Sequence, residues 1–411
     1  MKSKLLILSL VVAAILGIFL AYPVAAEWIY DKEVAVPYPI YTYRYDEGII
    51  SVVTFDSSTN TTYIHIYDIN LTEIKSCSLA VNGEPTAHAY GDGLIALTAK
   101  NGDAEDIFFI NATDCSVINN YTFSPADEGY VQTMFIVIAG GYVYQVLLDN
   151  SIFTYFLNIY NATGDMINSY ELGTIIDIGT AVLGGVENSD YLILWNGTSY
   201  INIIDGAAGG IVTVDTVELG LSELYLARGW YDPNENAVYI AFDNGTSVYL
   251  VKHVIGAGTE WIVTLDVDKI ITYVGPATEG VYVVTADNYG YRVIDPGIVK
   301  KEYIPPNAFG HSLGSEYLFS VDPDNNIIYR WYLETAAITE TTTVTETMTQ
   351  TVTETTTQTV TEVQYLTETE TETVTETTTV PGPYTGSDLF LVGVVSFMLA
   401  LAVGYLLARR V

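Results

Sequence analysis

The sequence predicts an all-β protein made of repeated units, followed by an extended segment and one membrane-spanning helix. Three observations lead to this fold class. Tyr, Val, Ile and Thr, which favour strands, are abundant up to about residue 335. Within that region a pattern of strands and turns recurs at a regular interval. Beyond it the composition changes to Thr and Glu, and then to an uninterrupted apolar run.

Each repeat has an apolar strand, a polar hairpin, a second strand, a short Asn/Asp turn and a third strand of alternating character. Full copies occupy 48–79, 93–123, 141–172, 190–219, 236–267 and 280–305, and a shorter copy occupies 315–334. Successive full copies begin about 44–49 residues apart, which suits a four-stranded blade once the strand before each copy is counted.

The ends of the repeated region predict how the ring closes. Residues 27–39, EWIYDKEVAVPYP, form a strand without a partner in the first copy, and the copy at 315–334 lacks an outer strand. Pairing these two segments would leave no open sheet edge. The sequence therefore predicts a seven-bladed β-propeller over 27–335, closed by its N-terminal strand, with six or eight blades as alternatives.

Three phrases carry a family resemblance: YIHIYDINLTEI at 63–74, YFLNIYNATGDMI at 155–167 and YGYRVIDPGIV at 289–299. In each, a strand ends in Asp or Asn and a turn leads to the outer strand. The region resembles seven-bladed propellers with YVTN, quinoprotein-like or WD40-like repeats. The D-P-x-x-N turns at 231–240 and 321–330 are also similar to turns of those propellers. The resemblance implies an architecture, and propellers of this shape serve many functions.

The two chain ends predict a location. Residues 1–26 combine two lysines, a long apolar run and a small-residue exit, which indicates a secretory signal peptide or, alternatively, an uncleaved anchor. The uncharged run at 389–408 is long enough to cross a membrane as a helix. Arg409 and Arg410, in the tail at 409–411, favour a cytoplasmic C-terminus. We expect a single-pass protein of the cell membrane with 27–335 outside the cell.

Two further features agree with an extracellular domain. Seven N-x-S/T acceptors predict N-glycosylation at Asn60, Asn70, Asn111, Asn120, Asn161, Asn196 and Asn244. The two cysteines, Cys77 and Cys115, would meet an oxidising exterior. They can form a disulfide or remain two buried thiols.

Residues 336–388 predict a Thr/Glu-rich stalk. The segment has too few large apolar side chains to build a core, and its glutamates repel one another, so we expect an extended chain. An eight-residue repeat places Val344, Val352 and Val360 in register, which leaves an oligomeric stalk as the alternative. The order of domain, Thr-rich stalk and membrane helix is similar to the layout of archaeal cell-envelope surface proteins.

Charge and motif content exclude several classes of function. With 49 acidic and 15 basic residues and a net charge of −34, the chain lacks the clustered Lys and Arg that bind nucleic acid. The four histidines, His65, His88, His253 and His311, follow no metal-binding spacing. For His65 and His253, which lie inside predicted strands, we expect packed or surface positions. No nucleophile elbow or phosphate-binding loop is present. We therefore predict no catalytic or cofactor-binding residue.

Calcium is the one metal that the sequence suggests. Asp322, Asp324 and Asn326 alternate in VDPDNN, and oxygen ligands at this spacing can hold Ca²⁺. The same residues can instead satisfy a turn through their own side chains, which the missing Gly-then-Glu completion favours.

These predictions combine into one hypothesis of function. We expect a membrane-anchored extracellular propeller that acts as a binding module at the cell envelope, in adhesion, surface-layer association or ligand capture. The expected partner is an envelope protein or glycan. The alternatives are a surface-tethered propeller enzyme acting on sugars or lactones, and a structural component of an envelope lattice.

Overall fold

The computed structural model describes residues 27–46, 48–81, 83–174, 180–220, 223–267, 270–277, 280–286, 288–312, 317–334, 345–352 and 366–373. The chain consists of two compact units, with the boundary between Ala336 and Ala337. The predicted signal peptide, transmembrane helix and tail lie outside the described residues. Within those ranges the single helix is a 3-10 turn at Gly206–Ala208, and none is long and apolar enough to cross a membrane.

The first unit is a β-propeller. After β1 (Glu27–Ala35), the first blade consists of β2 (Ile40–Asp46), β3 (Ile49–Asp56), β4 (Thr61–Asp68) and β5 (Glu73–Ala80). The second blade consists of β6 (Pro85–Gly91), β7 (Leu94–Asn101), β8 (Ala104–Asn111) and β9 (Val117–Phe123). The third consists of β10 (Val131–Ala139), β11 (Tyr142–Asp149), β12 (Thr154–Tyr160) and β13 (Met166–Thr174).

Eight strands then form one sheet, which we call the double sheet. One half contains β14 (Val182–Glu187), β15 (Tyr191–Trp195), β16 (Tyr200–Asp205) and β17 (Thr213–Glu218). The other half contains β18 (Leu226–Asp232), β19 (Ala237–Asp243), β20 (Ser247–Val254) and β21 (Gly258–Val267).

Two more four-stranded blades complete the ring. One consists of β22 (Ile271–Pro276), β23 (Val281–Thr285), β24 (Tyr289–Asp295) and β25 (Ile298–Tyr303). The closing blade consists of β26 (Ala308–Ser312), β27 (Tyr317–Asp322), β28 (Ile327–Glu334) and the N-terminal strand β1. The sequence predicted this closure, since β1 supplies the strand that the last repeat lacks.

The predicted number of separate blades is wrong, because five stand alone rather than seven. The segments expected as two blades, 190–219 and 236–267, lie in the double sheet. Its halves meet where β14 and β18 pair in parallel, Val186 with Gly229 and Glu187 with Trp230. Glycines allow this approach: a Cβ on Gly184 would stand 2.5 Å from the carbonyl oxygen of Ala227. The hydrophobic periodicity of the sequence does not predict a contact between the innermost strands of two neighbouring repeats.

The apolar cores lie between neighbouring sheets. Between the first and second blades, for example, Val53, Ile64, Ile95 and Leu97 are fully buried. The outermost strands alternate instead, as in β9, because one of their faces meets solvent. Burial on both faces explains why the second strand of each repeat reads as an unbroken apolar run.

The strand directions give the ring two distinct ends. Within each set of four strands the pairing is antiparallel, and short links join each outer strand to the next inner strand, so all innermost strands run in the same direction. We call the end where they begin the start face and the opposite end the end face. At the start face Tyr225 N donates to Asp243 O. At the end face β1 begins and β28 ends, with Glu27 opposite Glu334.

In the second unit, the described residues form two strands within the predicted stalk. Strand β29 (Thr345–Val352) pairs antiparallel with β30 (Leu366–Thr373). The other residues of 336–388 lie outside the described ranges.

Candidate functional site

A cavity of about 490 Å³ lies on the axis of the propeller. The innermost strands β2, β6, β10, β14, β18, β22 and β26 all contribute to its wall. We call this cavity the channel. Its size is in the range of small-molecule sites in proteins.

Two arginines lie in the channel wall. Arg44 comes from β2 and Arg228 from β18, and both are half-buried. Removal from water lowers the pKa of Arg44, while the charge of Asp46 opposes that shift. Burial lowers the pKa of Arg228 to about 10; repulsion from Arg44 adds to this shift, and Asp46 and Glu187 oppose it. Arg44 and Arg228 thus line one cavity, and the positive charge of Arg44 acts on Arg228.

Carboxylates line the channel toward the end face. They belong to Asp46, Asp92, Glu187 and Asp190. Asp92 accepts a hydrogen bond from the backbone N–H of Gly141 at 2.9 Å, and Asp190 accepts one from Gly140 at 2.9 Å, so both hold the β10–β11 turn. Among the described residues, no three His, Cys, Asp or Glu side chains come together as a metal site.

Tyrosines supply neutral polar groups between the charges. Burial raises the pKa of Tyr45 to about 12, although its hydrogen bond with Ser312 opposes the shift. Burial also raises the pKa of Tyr273 well above its ordinary value, and the charge and hydrogen bond of Glu187 add to the effect. Both hydroxyls therefore remain protonated at neutral pH and can donate hydrogen bonds.

The start face differs from the end face in exposing apolar side chains around the channel mouth. At or just before the innermost strands, Tyr41 is 39%, Tyr130 41%, Tyr225 48% and Ile270 61% exposed. Phe153, in the β11–β12 turn on the same face, is 48% exposed. The end face also exposes apolar side chains, such as Ile74, Val212 and Ile298, but these lie at outer strands and not at the channel mouth. Exposed apolar groups around the mouth of a cavity are a common mark of an interaction surface.

A second cavity, of about 570 Å³, lies between β18–β21 and β22–β25. Trp230, Tyr239 and Trp261 line it together with Lys252. Tyr239 stacks on Trp230 at a centroid distance of 5.5 Å. The ammonium of Lys252 lies 2.8 Å from Glu235, so its charge is balanced within the protein.

All four histidines are buried: His65, His88, His253 and His311. His88 Nε2 lies 2.8 Å from Ser51 Oγ, and both side chains are inaccessible, so this pair holds two strands together instead of facing a substrate. His311 packs against the Tyr282 ring with centroids 4.7 Å apart. These positions are those of packed core residues.

The calcium candidate lies in the β27–β28 turn. Asp322 Oδ1 accepts hydrogen bonds from the backbone N–H groups of Asp324 and Asn325, both at 3.1 Å. The Asn325 amide donates to Asp322 Oδ2 at 2.8 Å. The Asp322 carboxylate is thus engaged by its own turn, and Asn326 takes the positive φ of 58° that closes it.

The predicted glycosylation residues lie at strand ends or on an outer strand. Three of them are exposed: Asn60, Asn70 and Asn120. The other four, Asn111, Asn161, Asn196 and Asn244, are half-buried. In the Asn161 turn, for example, the side-chain oxygen accepts the N–H of Thr163 at 3.0 Å. Glycosylation itself stays a prediction.

The two cysteines lie together and form a disulfide. Cys77 belongs to β5 and Cys115 to the turn between β8 and β9, so the bond joins the first and second blades. The sequence left this pairing open, because the two residues occupy different positions in their repeats.

Sequence reasoning missed the arginines of the channel. A usable signal was present: 27–335 contains four arginines, Arg44, Arg228, Arg292 and Arg330. Arg44 and Arg228 lie in segments that begin a blade, where the side chains can face the axis. The repeat alignment started each copy at the second strand, so these segments fell between copies.

Comparisons with known proteins bear on the fold. No protein-family model matches the chain, and no curated protein matches it. Among solved structures, the β-propeller domain of Cps50 (Swd1) from Myceliophteria thermophila matches at 10% identity, 74% of this chain, 99% of that chain and a TM-score of 0.50. BamB from Moraxella catarrhalis matches at 9% identity, covering 74% and 100%, with a TM-score of 0.44. Hsv2 from Kluyvelomyces marxianus matches at 10%, covering 72% and 97%, with a TM-score of 0.49. The similarity to the Cps50 (Swd1) domain shows a β-propeller fold.

Proposed function

We propose that this chain is a cell-surface β-propeller that binds a partner protein of the envelope through its start face. In this proposal the stalk at 336–388 and the helix at 389–408 anchor the propeller to the membrane. The observation that carries the proposal is the apolar rim of the start face, defined as Tyr41, Tyr130, Tyr225 and Ile270. Tyrosines combine a flat apolar ring with a hydroxyl, a pair of properties common at protein interfaces.

The course of the chain supports this choice of face. Strand β28 ends at the end face, so the chain leaves the propeller on the side opposite the apolar rim. The segment that leads toward the proposed anchor therefore does not begin at the proposed interface. The end face, in contrast, carries the acidic mouth of the channel.

Three features support a location outside the cell. A disulfide between Cys77 and Cys115 suits an oxidising compartment. Acceptor sites for N-linked sugars occur at exposed Asn60, Asn70 and Asn120. A net charge of −34 keeps a surface-exposed domain soluble.

The test uses the full-length protein as bait for solubilised envelope proteins from the cells that make it. A Tyr41→Ser/Tyr225→Ser double variant removes two aromatic rings from the rim. Tyr30→Ser is the matched control, because Tyr30 is a 49% exposed tyrosine on the outer strand β1, near the end face. We expect the double variant to capture at least tenfold less of one envelope protein than the wild type does. The control should capture as much of it as the wild type. Equal capture by all three proteins would refute the role of the start face, and release by glycosidase would identify a glycan partner instead.

Location needs a separate experiment. Protease added to intact cells should remove the propeller, and N-glycosidase should lower the apparent mass of the purified chain. A chain that stays protected in intact cells would overturn the extracellular placement without deciding whether the start face binds a partner.

A further inference from the structure

The channel arginines differ from the other arginines of the propeller in lacking an acidic partner. Arg330 lies 2.5 Å from Asp31, and Arg292 lies 3.6 Å from Glu302. Neither Arg44 nor Arg228 has an ion-pair partner within the described ranges. The hydrogen bond recorded for Arg228 is a long one, 3.4 Å from Nη1 to the carbonyl oxygen of Ala227.

Three of the four channel carboxylates have other engagements. Asp92 and Asp190 hold the β10–β11 turn through their backbone hydrogen bonds. Glu187 acts on the Tyr273 hydroxyl by hydrogen bond and charge. Asp46 and Glu187 attract the charge of Arg228, but among the described residues neither forms an ion pair with it.

Two cations in one confined channel are unfavourable when no anion contacts either of them. Water removal penalises each charge, and their mutual repulsion adds to the penalty. The four carboxylates of the channel lie toward the end face, and among the described residues none of them forms an ion pair with either arginine. The channel space that both arginines line is thus suited to a negative charge from outside the chain.

We infer that the channel binds a small ligand that carries an oxyanion, a carboxylate or a phosphate, between Arg44 and Arg228. The planar guanidinium group donates two parallel hydrogen bonds to two oxygens of such an anion. Two guanidinium groups from different strands, β2 and β18, would then hold one oxyanion from two sides. This binding site is separate from the protein interface proposed on the start face.

The two mouths of the channel indicate the direction of entry. The end-face mouth carries four carboxylates, which repel an approaching anion. The start-face mouth carries Ile270 and Leu226 in the channel wall, with Tyr41 and Tyr225 beside it. A ligand with an apolar part and an oxyanion therefore enters from the start face, oxyanion first, and leaves its apolar part near the tyrosines.

Calorimetric titration of the full-length protein tests this inference. Sodium phosphate and sodium succinate are the two probes, and sodium chloride at equal ionic strength is the control. We expect saturable heat with one of the two oxyanions. The probe that binds distinguishes a phosphate ligand from a carboxylate ligand. If neither produces more heat than chloride, the inference is wrong.

Two substitutions locate the binding. Arg44→Gln and Arg228→Gln should each weaken it at least tenfold, because each removes one guanidinium fork. Lys75→Gln is the matched control, since it removes one positive charge from the outer strand β5. Removing a repelling cation should also leave the thermal midpoint of Arg228→Gln in chloride no lower than that of the wild type, which confirms a folded variant. Binding that survives both arginine substitutions, or is lost equally in Lys75→Gln, would place the anion elsewhere.

Discussion

Acid should destabilise the propeller through His311, and a single substitution isolates the effect. His311 is 1% exposed on β26, and among the described residues no polar side chain forms a hydrogen bond with its ring nitrogens. Burial lowers its pKa from 6.5 to about 3, the charge of Arg292 adds to the shift, and the Pro276 carbonyl opposes it. The imidazole is therefore neutral in the folded protein at all pH values above about 3.

The expected magnitude follows from the two protonation states. The unfolded chain binds a proton at His311 as the pH falls through 6.5, and the folded chain does not, so stability present above pH 6.5 is lost below it. Over the 1.5 pH units from 6.5 to 5, at about 1.4 kcal/mol per unit, the loss is about 2 kcal/mol. His311→Phe removes this loss, because phenylalanine keeps an aromatic ring against Trp28 and Tyr282 and binds no proton.

Urea unfolding at pH 8 and pH 5, followed by tryptophan fluorescence, measures the difference. The free energy of unfolding should fall by about 2 kcal/mol less in His311→Phe than in the wild type. Any packing change affects both pH values equally and cancels. Phe319→Leu, in the same apolar cluster, is the control: it should lower stability at both pH values and keep the wild-type dependence. Equal losses in the wild type and His311→Phe would refute the reasoning.

Three further predictions concern the joints of the ring, each measured by urea unfolding at pH 8. Cys77→Ser should lower the free energy of unfolding by about 4 kcal/mol, because the disulfide spans 38 residues; reduction of the wild type should have the same effect. Gly184→Ala should destabilise by about 2–3 kcal/mol, since the new Cβ would meet the carbonyl oxygen of Ala227; an unchanged midpoint would mean that the double sheet can separate there. Arg330→Met should lower stability by about 2 kcal/mol, because it leaves the partly exposed Asp31 without its partner; Asp31→Asn should cost a similar amount.

The repeated architecture could be predicted because it is a property of local pattern. Apolar runs mark the doubly buried second strands, and turn residues such as the Asp322 motif mark where strands reverse. The partner of the unpaired segment at 27–39 could also be predicted, since the last repeat lacked one strand. Each of these signals is contained within a few dozen residues.

The rest depended on contacts between distant parts of the chain. Nothing local to Gly184 or Gly229 reports that β14 and β18 approach closely enough to merge two repeats. Nothing local to Arg44 predicts that Arg228, far along the sequence, lines the same channel. Strand pattern assigns a residue to a face of its own sheet, whereas a site on the axis forms only when several sheets meet.

Because β1 pairs with β28, the ring can close only after the last strand of the propeller has been synthesised. Glu27 is synthesised before Glu334. At a synthesis rate of roughly 5–20 residues per second, β1 therefore waits about 15–60 seconds for β28. During that time its backbone edge is open to other chains. Asp31, Lys32 and Glu33 lie in the middle of β1, and charged side chains there hinder premature pairing. The charged residues of β1 thus protect its open edge against aggregation until the ring can close.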